Sequence, residues 1–352
     1  MRNKIPKMRG AIRTRMLLLL CLLAGIAVWL GNAHIQSLLN RPIMFEGEGY
    51  SFEIAPGSGF SKLCYQFERD GVFPYPRLLS LYGRFSGDAK RVKAGEYRID
   101  NGLSLYDVLD IVKSGKVVYR EVILLEGQTF TALRKQLLDV PYLIHQTSEL
   151  TNVEIMALVG DSQLHPEGQF YPDTYFFQKN DTDLDILRRA HNKLVKVLED
   201  EWGKRNPNLP YKTAYEALIM ASIIEKETGQ PRERPDIAAV FVQRLNKKMR
   251  LQTDPTVIYG LGDRYQGNIT RKHLREKTPY NTYRINGLPP TPIASAGHAA
   301  IHAALNPSKS EALYFVAKGD GSHQFSKSLS EHQAAVRRFQ WKRKSNYRSA
   351  PQ

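Results

Sequence analysis

The chain has 352 residues, 42% of them hydrophobic and 24% charged, enough for two domains with cores of their own. Its formal net charge of +15 raises nucleic acid as a partner. Much of the excess sits at the two ends, however, and no zinc-finger spacing, RNA-binding aromatic signature or phosphate-cradling loop accompanies it.

Basic residues Arg2, Lys4, Lys7, Arg9, Arg13 and Arg15 precede an uncharged run from Met16 to Leu30 that Gly31, Asn32 and Ala33 extend. That length suits a membrane-spanning helix of about 17–20 residues, and Trp29 stands where an interfacial aromatic belongs. A cleaved signal peptide is the competing reading, because Gly31-Asn32-Ala33 offers small residues; the long apolar core favours an uncleaved anchor. Charge asymmetry then predicts a cytoplasmic basic segment 1–15, a single-pass anchor 16–33 in a bacterial inner membrane, and a periplasmic remainder. Cys21 falls inside the span and Cys64 is alone outside it, so the soluble part has no intramolecular disulfide to form.

From 49 to 118 short extended pieces (Tyr50 to Ile54, Gly95 to Ile99) alternate with helical runs (Phe60 to Asp70, Pro76 to Tyr82, Leu103 to Ser114), punctuated by Pro56-Gly57 and Asn101-Gly102. This is a small α+β module. Residues 119–340 form a larger mixed region: an extended piece from Val117 to Leu125 leads through Glu126-Gly127-Gln128-Thr129 into a helix from Phe130 to Leu138. Strands follow much later, near Leu313 to Ala317 and Gln324 to Ser326, around the turn Gly319-Asp320-Gly321. A basic tail, 341–352, reads as a solvated segment.

One helix in this region carries chemistry. Thr213 caps a dense apolar run that ends near Gly229 and Pro231, and helical steps back from Glu225 meet Ala221, Leu218 and Ala214. Glu225 thus falls on the apolar stripe, where partial burial raises a carboxyl pKa and keeps it protonated as a general acid must be. The competing reading pairs Glu225 with an arginine of the next helix. Glu227, on the face of Ile223, Met220 and Glu216, reads as a supporting or solvated charge.

Several loops are richer in Pro, Gly, Tyr and Asn than packing demands. His165 to Tyr175 supplies turn formers, aromatic rings and the acids Glu167 and Asp173, which suits a sugar-binding loop as well as a surface turn held by buried tyrosines. In Arg250 to Gly260, Asp254 reads as a helix N-cap before Pro255, leaving Gln252 and Thr253 free to contact a ligand. Tyr280-Asn281-Thr282-Tyr283 and Gly287 to Ile293 are proline-stiffened. His298 and His302 stand four apart on a helix, but no acid or thiolate completes a zinc pattern in sequence, so no metal is expected. There is no nucleophile elbow around a serine.

Taken in order, Glu167-Gly168 to Tyr175, Ala221–Glu227, Arg250–Gly260, Tyr280–Tyr283, Gly287–Pro290, Ala303–Pro307 and Tyr314–Val316 resemble the endolytic murein transglycosylase family, also called YceG-like or MltG-like. The resemblance covers essentially everything after the anchor. It implies an α+β architecture with an N-terminal transmembrane helix, a small LysM-like α+β subdomain at 49–118 and a larger mixed α/β catalytic domain at 119–340. It also implies internal cleavage of peptidoglycan glycan strands between N-acetylmuramic acid and N-acetylglucosamine, without a cofactor. The family's catalytic glutamate lies in the motif matched by Ala221–Glu227 and is carried to Glu225. Gln252, Thr253, Tyr280 and Asn281 are the substrate-orienting candidates, joined by Glu167, Asp173 and Tyr175. Ser295-Ala296-Gly297 departs from the family, which often has proline before that glycine, and puts the rigidity of the loop in doubt.

A lytic transglycosylase needs one carboxyl group that first donates and then accepts a proton, leaving a 1,6-anhydro end. If Glu167 or Asp173 were a second catalytic carboxylate, a lysozyme-like hydrolase would be the alternative. A membrane-anchored, non-catalytic glycan-binding scaffold is another, with Glu225 as a buried ion-pair member. The expected partners are glycan strands, the inner membrane and, from the resemblance, peptidoglycan synthases beside which nascent strands are ended.

Overall fold

The computed structural model describes residues 7–341, with side chains from residue 14 onward. The first residues of the basic segment 1–15 and the basic tail from Lys342 onward lie outside the described residues. The chain divides into two compact units, one through Tyr119 and one from Arg120 on.

The first unit opens with α1 (Lys7–Leu39), whose stretch Thr14–Leu39 is long and apolar enough to cross a membrane and has its large side chains exposed. The last turns of α1 change character. Leu39 is fully buried, and Ile35 and Leu38 pack on the core of the unit that follows. That core is built by β1 (Tyr50–Ile54), α2 (Phe60–Arg69), α3 (Pro76–Ser86), β2 (Gly95–Ile99) and α4 (Leu105–Ser114). β1 and β2 pair antiparallel with Phe52 opposite Tyr97, whose rings stack at 5.5 Å, and Phe67 meets Phe52 edge-on at 5.1 Å. Gly83 lets α3 lie directly on the Phe60 ring, since a Cβ there would fall 2.2 Å from it.

The second unit contains β3 (Arg120–Ile123), α5 (Phe130–Leu138), α6 (Asn152–Val159), β4 (Thr174–Phe177) and α7 (Asp183–Gly203). It continues with α8 (Ala214–Glu227), α9 (Arg234–Asn246), α10 (Asp254–Leu261), α11 (Arg271–Arg275), α12 (His298–Leu305), β5 (Tyr314–Ala317), β6 (His323–Ser326) and α13 (Leu329–Phe339). Its strands form two antiparallel pairs, β3 with β4 and β5 with β6, so helices carry the architecture. Serine and threonine start them: Thr151, Thr182 and Ser328 each close a capping box with the acid three residues on.

α8 is the centre of this unit, wrapped by α7, α9, α10 and α12. Thr213 caps it through the Glu216 N–H, as its sequence predicts. The single apolar stripe read from the sequence proves too narrow: every residue from Ala217 to Ile224 is buried, including Ser222, whose hydroxyl bonds to the Ile219 carbonyl and accepts from the Ile293 N–H. A helix apolar all round is a buried helix. Its last turn, with Glu225 on one side and Glu227 on another, therefore ends inside the protein.

Candidate active site

The last turn of α8 delivers two glutamates to two different environments. Glu225 has a side chain only 5% exposed, and Arg234, at the start of α9, donates to its Oε1 at 2.5 Å. The Gly297 N–H, at the start of α12, donates to Oε2 at 3.0 Å. Burial pushes the Glu225 carboxyl up; the Gly297 bond and the Arg234 charge oppose this, and nearby Glu126 reinforces it. Arg234 also reaches Glu126 at 3.5 Å, and a Cβ on Gly297 would fall 1.8 Å from Glu126, so the glycine leaves room for that carboxylate. The ion pair with the next helix, the competing reading from sequence, is what the structure contains.

Glu227 stands elsewhere. It lines an open cavity of about 570 Å³ together with Lys226, Gln252, Thr253, Asp254, Arg244 and Tyr283. The Thr253 hydroxyl donates to Glu227 Oε1. Burial pushes the Glu227 carboxyl up to about 7; Asp254 adds to the shift, while Thr253 and Arg244 work against it. The expectation of a solvated charge is thus corrected. The face that Glu227 shares with Met220 and Ile223 is inside, because α9 and the 250–254 loop cover it.

The 250–254 loop is itself held in place. Arg244, largely buried, binds the Leu251 carbonyl at 2.6 Å and the Leu313 carbonyl at 2.7 Å. Thr253 occupies the N-cap position of α10, with Asp254 the first helical residue, so capping is not what Asp254 does. Asp254 instead accepts from the Tyr283 hydroxyl at 2.7 Å. Thr253 is buried, its N–H donating to Thr282 Oγ1 at 3.0 Å, and its hydroxyl is committed to Glu227 rather than free for a ligand. Gln252 is exposed on the cavity wall and takes a left-handed backbone, φ +53°.

The other residues singled out from sequence have structural partners. The Asn281 amide, 1% exposed, donates to the carbonyls of His273, Leu274 and Glu276 and accepts from the Tyr283 N–H, which fixes the loop that presents Tyr283. Tyr280 packs edge-on against Tyr259 at 4.8 Å and bonds to Thr291. Glu167 lies buried at the N-terminus of α5, accepting from the Phe130 N–H at 3.0 Å, and burial pushes its carboxyl up to about 7 against that bond and one from Tyr259. Tyr175 points into the core from β4, its hydroxyl on the Tyr171 carbonyl at 2.8 Å. Asp173 is ion-paired with Lys193 at the surface. None of these five lines the cavity of Glu227.

Two acids escaped sequence reading. Glu126 stood only as part of a turn. It comes to Arg234 because the 126–128 segment pairs with the 295–297 loop, Gly127 N–H to the Ser295 carbonyl and Ser295 N–H to the Gln128 carbonyl, both at 2.8 Å. Those bonds and the complete burial of 291–297 supply the rigidity that the missing proline put in doubt. Glu201 of α7 provides the acid that the His298 and His302 pair lacks in sequence, meeting His302 at 2.7 Å and His298 at 3.3 Å. Burial works against the Glu201 charge, but the His302 bond holds its carboxyl below the usual range. Among the described residues no group of three such side chains has the geometry to hold a metal ion.

Comparison with known proteins places the chain among relatives. The model of the YceG-like family matches residues 52–338. The chain is 31% identical over 310 residues to an endolytic murein transglycosylase of Bacillus subtilis, covering 82% of this chain and 84% of that protein. An endolytic murein transglycosylase of Streptococcus pneumoniae is 25% identical over 317 residues, covering 80% of this chain and 57% of the relative. Among solved structures, a YceG-like protein of Listeria monocytogenes is similar with a TM-score of 0.50 and 32% identity, over 82% of this chain and 99% of that one.

Proposed function

The chain belongs to the YceG-like family, and from that membership and the cavity at the end of α8 we propose that it is an endolytic peptidoglycan lytic transglycosylase with Glu227 as its acid and base. The carrying observation is the environment of Glu227: a carboxyl pushed up to about 7 on the wall of a sugar-sized cavity. Glu225 was the sequence choice, and its raised carboxyl keeps it as the second candidate. Its two oxygens are engaged by Arg234 and Gly297, however, and it does not line that cavity.

In the proposed reaction, protonated Glu227 donates to the oxygen bridging N-acetylmuramic acid and N-acetylglucosamine, and the muramoyl C1 takes on oxocarbenium character. Thr253, donating to Oε1, orients the carboxyl so that its other oxygen handles the proton. The resulting carboxylate accepts the proton of the muramoyl C6 hydroxyl as that oxygen closes onto C1, giving a 1,6-anhydro end without consuming water. Asp254, beside the reacting centre and held by Tyr283, favours positive charge developing on the sugar. Gln252 contributes an exposed amide for sugar hydroxyls.

Asp254 also supports a second reading. A second carboxylate on the same wall is what a lysozyme-like hydrolase requires. The ends of the products separate the two: the full-length protein in detergent, incubated with uncrosslinked glycan strands, yields anhydro-muramoyl ends by mass spectrometry if it is a transglycosylase and reducing ends if it is a hydrolase. Intact strands would favour the glycan-binding scaffold.

The basic residues before the apolar run from Met16 support an arrangement with the N-terminus cytoplasmic and the chain after the span outside. The β-α-α-β core of the first unit supports its reading as a LysM-like module. Activity at the membrane, inside strands, suits an enzyme that ends nascent strands beside a synthase. Unchanged strand lengths on deletion, and no synthase co-purifying, would count against that role.

A further inference from the structure

α3 has a face that its own unit leaves uncovered. Pro76, Leu79 and Gly83 are buried against α2, whereas Arg77, Leu81, Arg84 and Phe85, spaced by helical turns on the opposite side, are exposed. Phe85 is 86% exposed and Leu81 53%, each beside an arginine of the same face, and α3 contains no acidic residue. Arg91, exposed just beyond the helix, extends the positive charge. An apolar pair framed by arginines is the pattern of a helix lying in a bilayer interface, with rings and aliphatic chains among the acyl tails and guanidinium groups on phosphates.

The position of this face relative to α1 supplies the second observation. Tyr82, next to Leu81 on α3, meets Tyr106 of α4 edge-on at 5.8 Å, and the Tyr106 hydroxyl bonds to Gln36 of α1. Gln36 follows Ala33, the end of the apolar run, by three residues, or about 5 Å of helix, which is within the polar layer that borders the hydrocarbon. With Leu39 fully buried in the unit's core, α1 passes from span to module without a linker. The module therefore has no slack to leave the bilayer surface, and the side of it bearing Tyr82 and Tyr106 stands at headgroup level.

We infer that the exposed face of α3 docks on the lipid surface around the exit of α1, with Leu81 and Phe85 inserted and Arg77, Arg84 and Arg91 paired with anionic lipid phosphates. The inference rests on α1 spanning the membrane. It makes the first unit a membrane-fixed base rather than a module swinging on its anchor.

The test uses the full-length chain in vesicles and an environment-sensitive dye on single cysteines. The exposed Cys21 reports the span, Cys64 is fully buried and does not compete for label, and Phe85→Cys in a Cys21→Ala background reports the face. In phosphatidylcholine vesicles containing phosphatidylglycerol, the label at 85 should emit blue-shifted and be quenched by lipids spin-labelled near the headgroup. In pure phosphatidylcholine, or with Arg77→Glu, Arg84→Glu and Arg91→Glu together, that quenching should fall at least severalfold while circular dichroism is unchanged. A water-like emission at 85 in both vesicles, with Cys21 quenched at depth, overturns the docking and leaves the anchor standing. Unquenched Cys21 overturns the spanning premise itself. Shielding of 85 that appears only when soluble glycan is added overturns the lipid assignment and gives this face to glycan.

Discussion

The Thr253 hydroxyl donates to Glu227 from the N-cap position of α10, joining the end of α8 to the start of α10 at the wall of the cavity. This bond sets both the orientation and the proton affinity of the proposed acid. Because it favours the charged carboxylate, Thr253→Val should raise the Glu227 pKa, whereas Asp254→Asn should lower it by removing a neighbouring negative charge. The general acid works protonated, so kcat/KM should fall as pH rises through about 7, with this limb moving up in Thr253→Val and down in Asp254→Asn. Glu227→Gln should lose activity by about 10²–10⁴-fold with its Tm close to wild type. Identical pH limbs in wild type, Thr253→Val and Asp254→Asn would remove Glu227 from the chemistry.

Glu225 should behave in the opposite way. Removing one member of a buried ion pair leaves the other without compensation and costs about 3–5 kcal/mol. Arg234→Met should therefore lower Tm by several degrees, and Glu225→Gln should do so with part of the activity retained at low temperature. If Glu225→Gln instead melted like wild type and made no product, the catalytic role would return to Glu225.

The contrast between these glutamates shows where sequence reading runs out. Helical periodicity located α8, its Thr213 cap and the two acids at its end. It could not rank them, because accessibility there depends on Arg234, Gly297 and the 250–254 loop, which reach α8 through tertiary packing. Counting one apolar stripe misled for the same reason: Ala217 to Ile224 is buried on all sides. The β1 and β2 strands and the α5 helix were legible because their patterns are local. β4 was not, since its first two residues, Thr174 and Tyr175, close a motif whose aromatics resemble a binding loop, and only pairing with β3 shows that Tyr175 and Phe177 are core.

Glu167 offers a test that is separate from catalysis. Burial pushes its carboxyl up to about 7 in the folded protein, above the ordinary value of 4.5, so the folded state holds the extra proton. Stability from this group is fully present below the unfolded pKa and is lost as pH rises through about 7, by up to about 3 kcal/mol. Glu167→Gln keeps an acceptor for the Phe130 N–H and does not titrate. Urea melts from pH 4 to 8 should show a decline in wild type that is shallower in Glu167→Gln. Equal slopes would mean that Glu167 is ionised in the folded state.

Asn281 was a candidate for sugar contact, but its amide holds three carbonyls and one N–H of its own loop. Asn281→Ala leaves those buried groups unpaired and should destabilise the protein by about 2–3 kcal/mol. Loosening Tyr283 should also free Asp254, so activity at low temperature should fall through kcat. Asn281→Ala at wild-type Tm would instead leave the amide available to substrate.

Gln252 is the one candidate whose side chain is both exposed to the cavity and carried on strained backbone, with φ +53°. A left-handed non-glycine residue costs about 1–2 kcal/mol, and glycine relieves this at an entropic cost of about 0.5–1 kcal/mol, so Gln252→Gly should gain roughly 0.5 kcal/mol. Gln252→Ala keeps the strain and should leave stability nearly unchanged. Both remove the amide, and both should raise KM severalfold if it contacts the sugar. Equal loss of binding in the two variants, with higher Tm in glycine alone, would mean that the strain persists because the cavity needs that amide. Wild-type KM in both would show that Gln252 merely turns the chain toward Thr253.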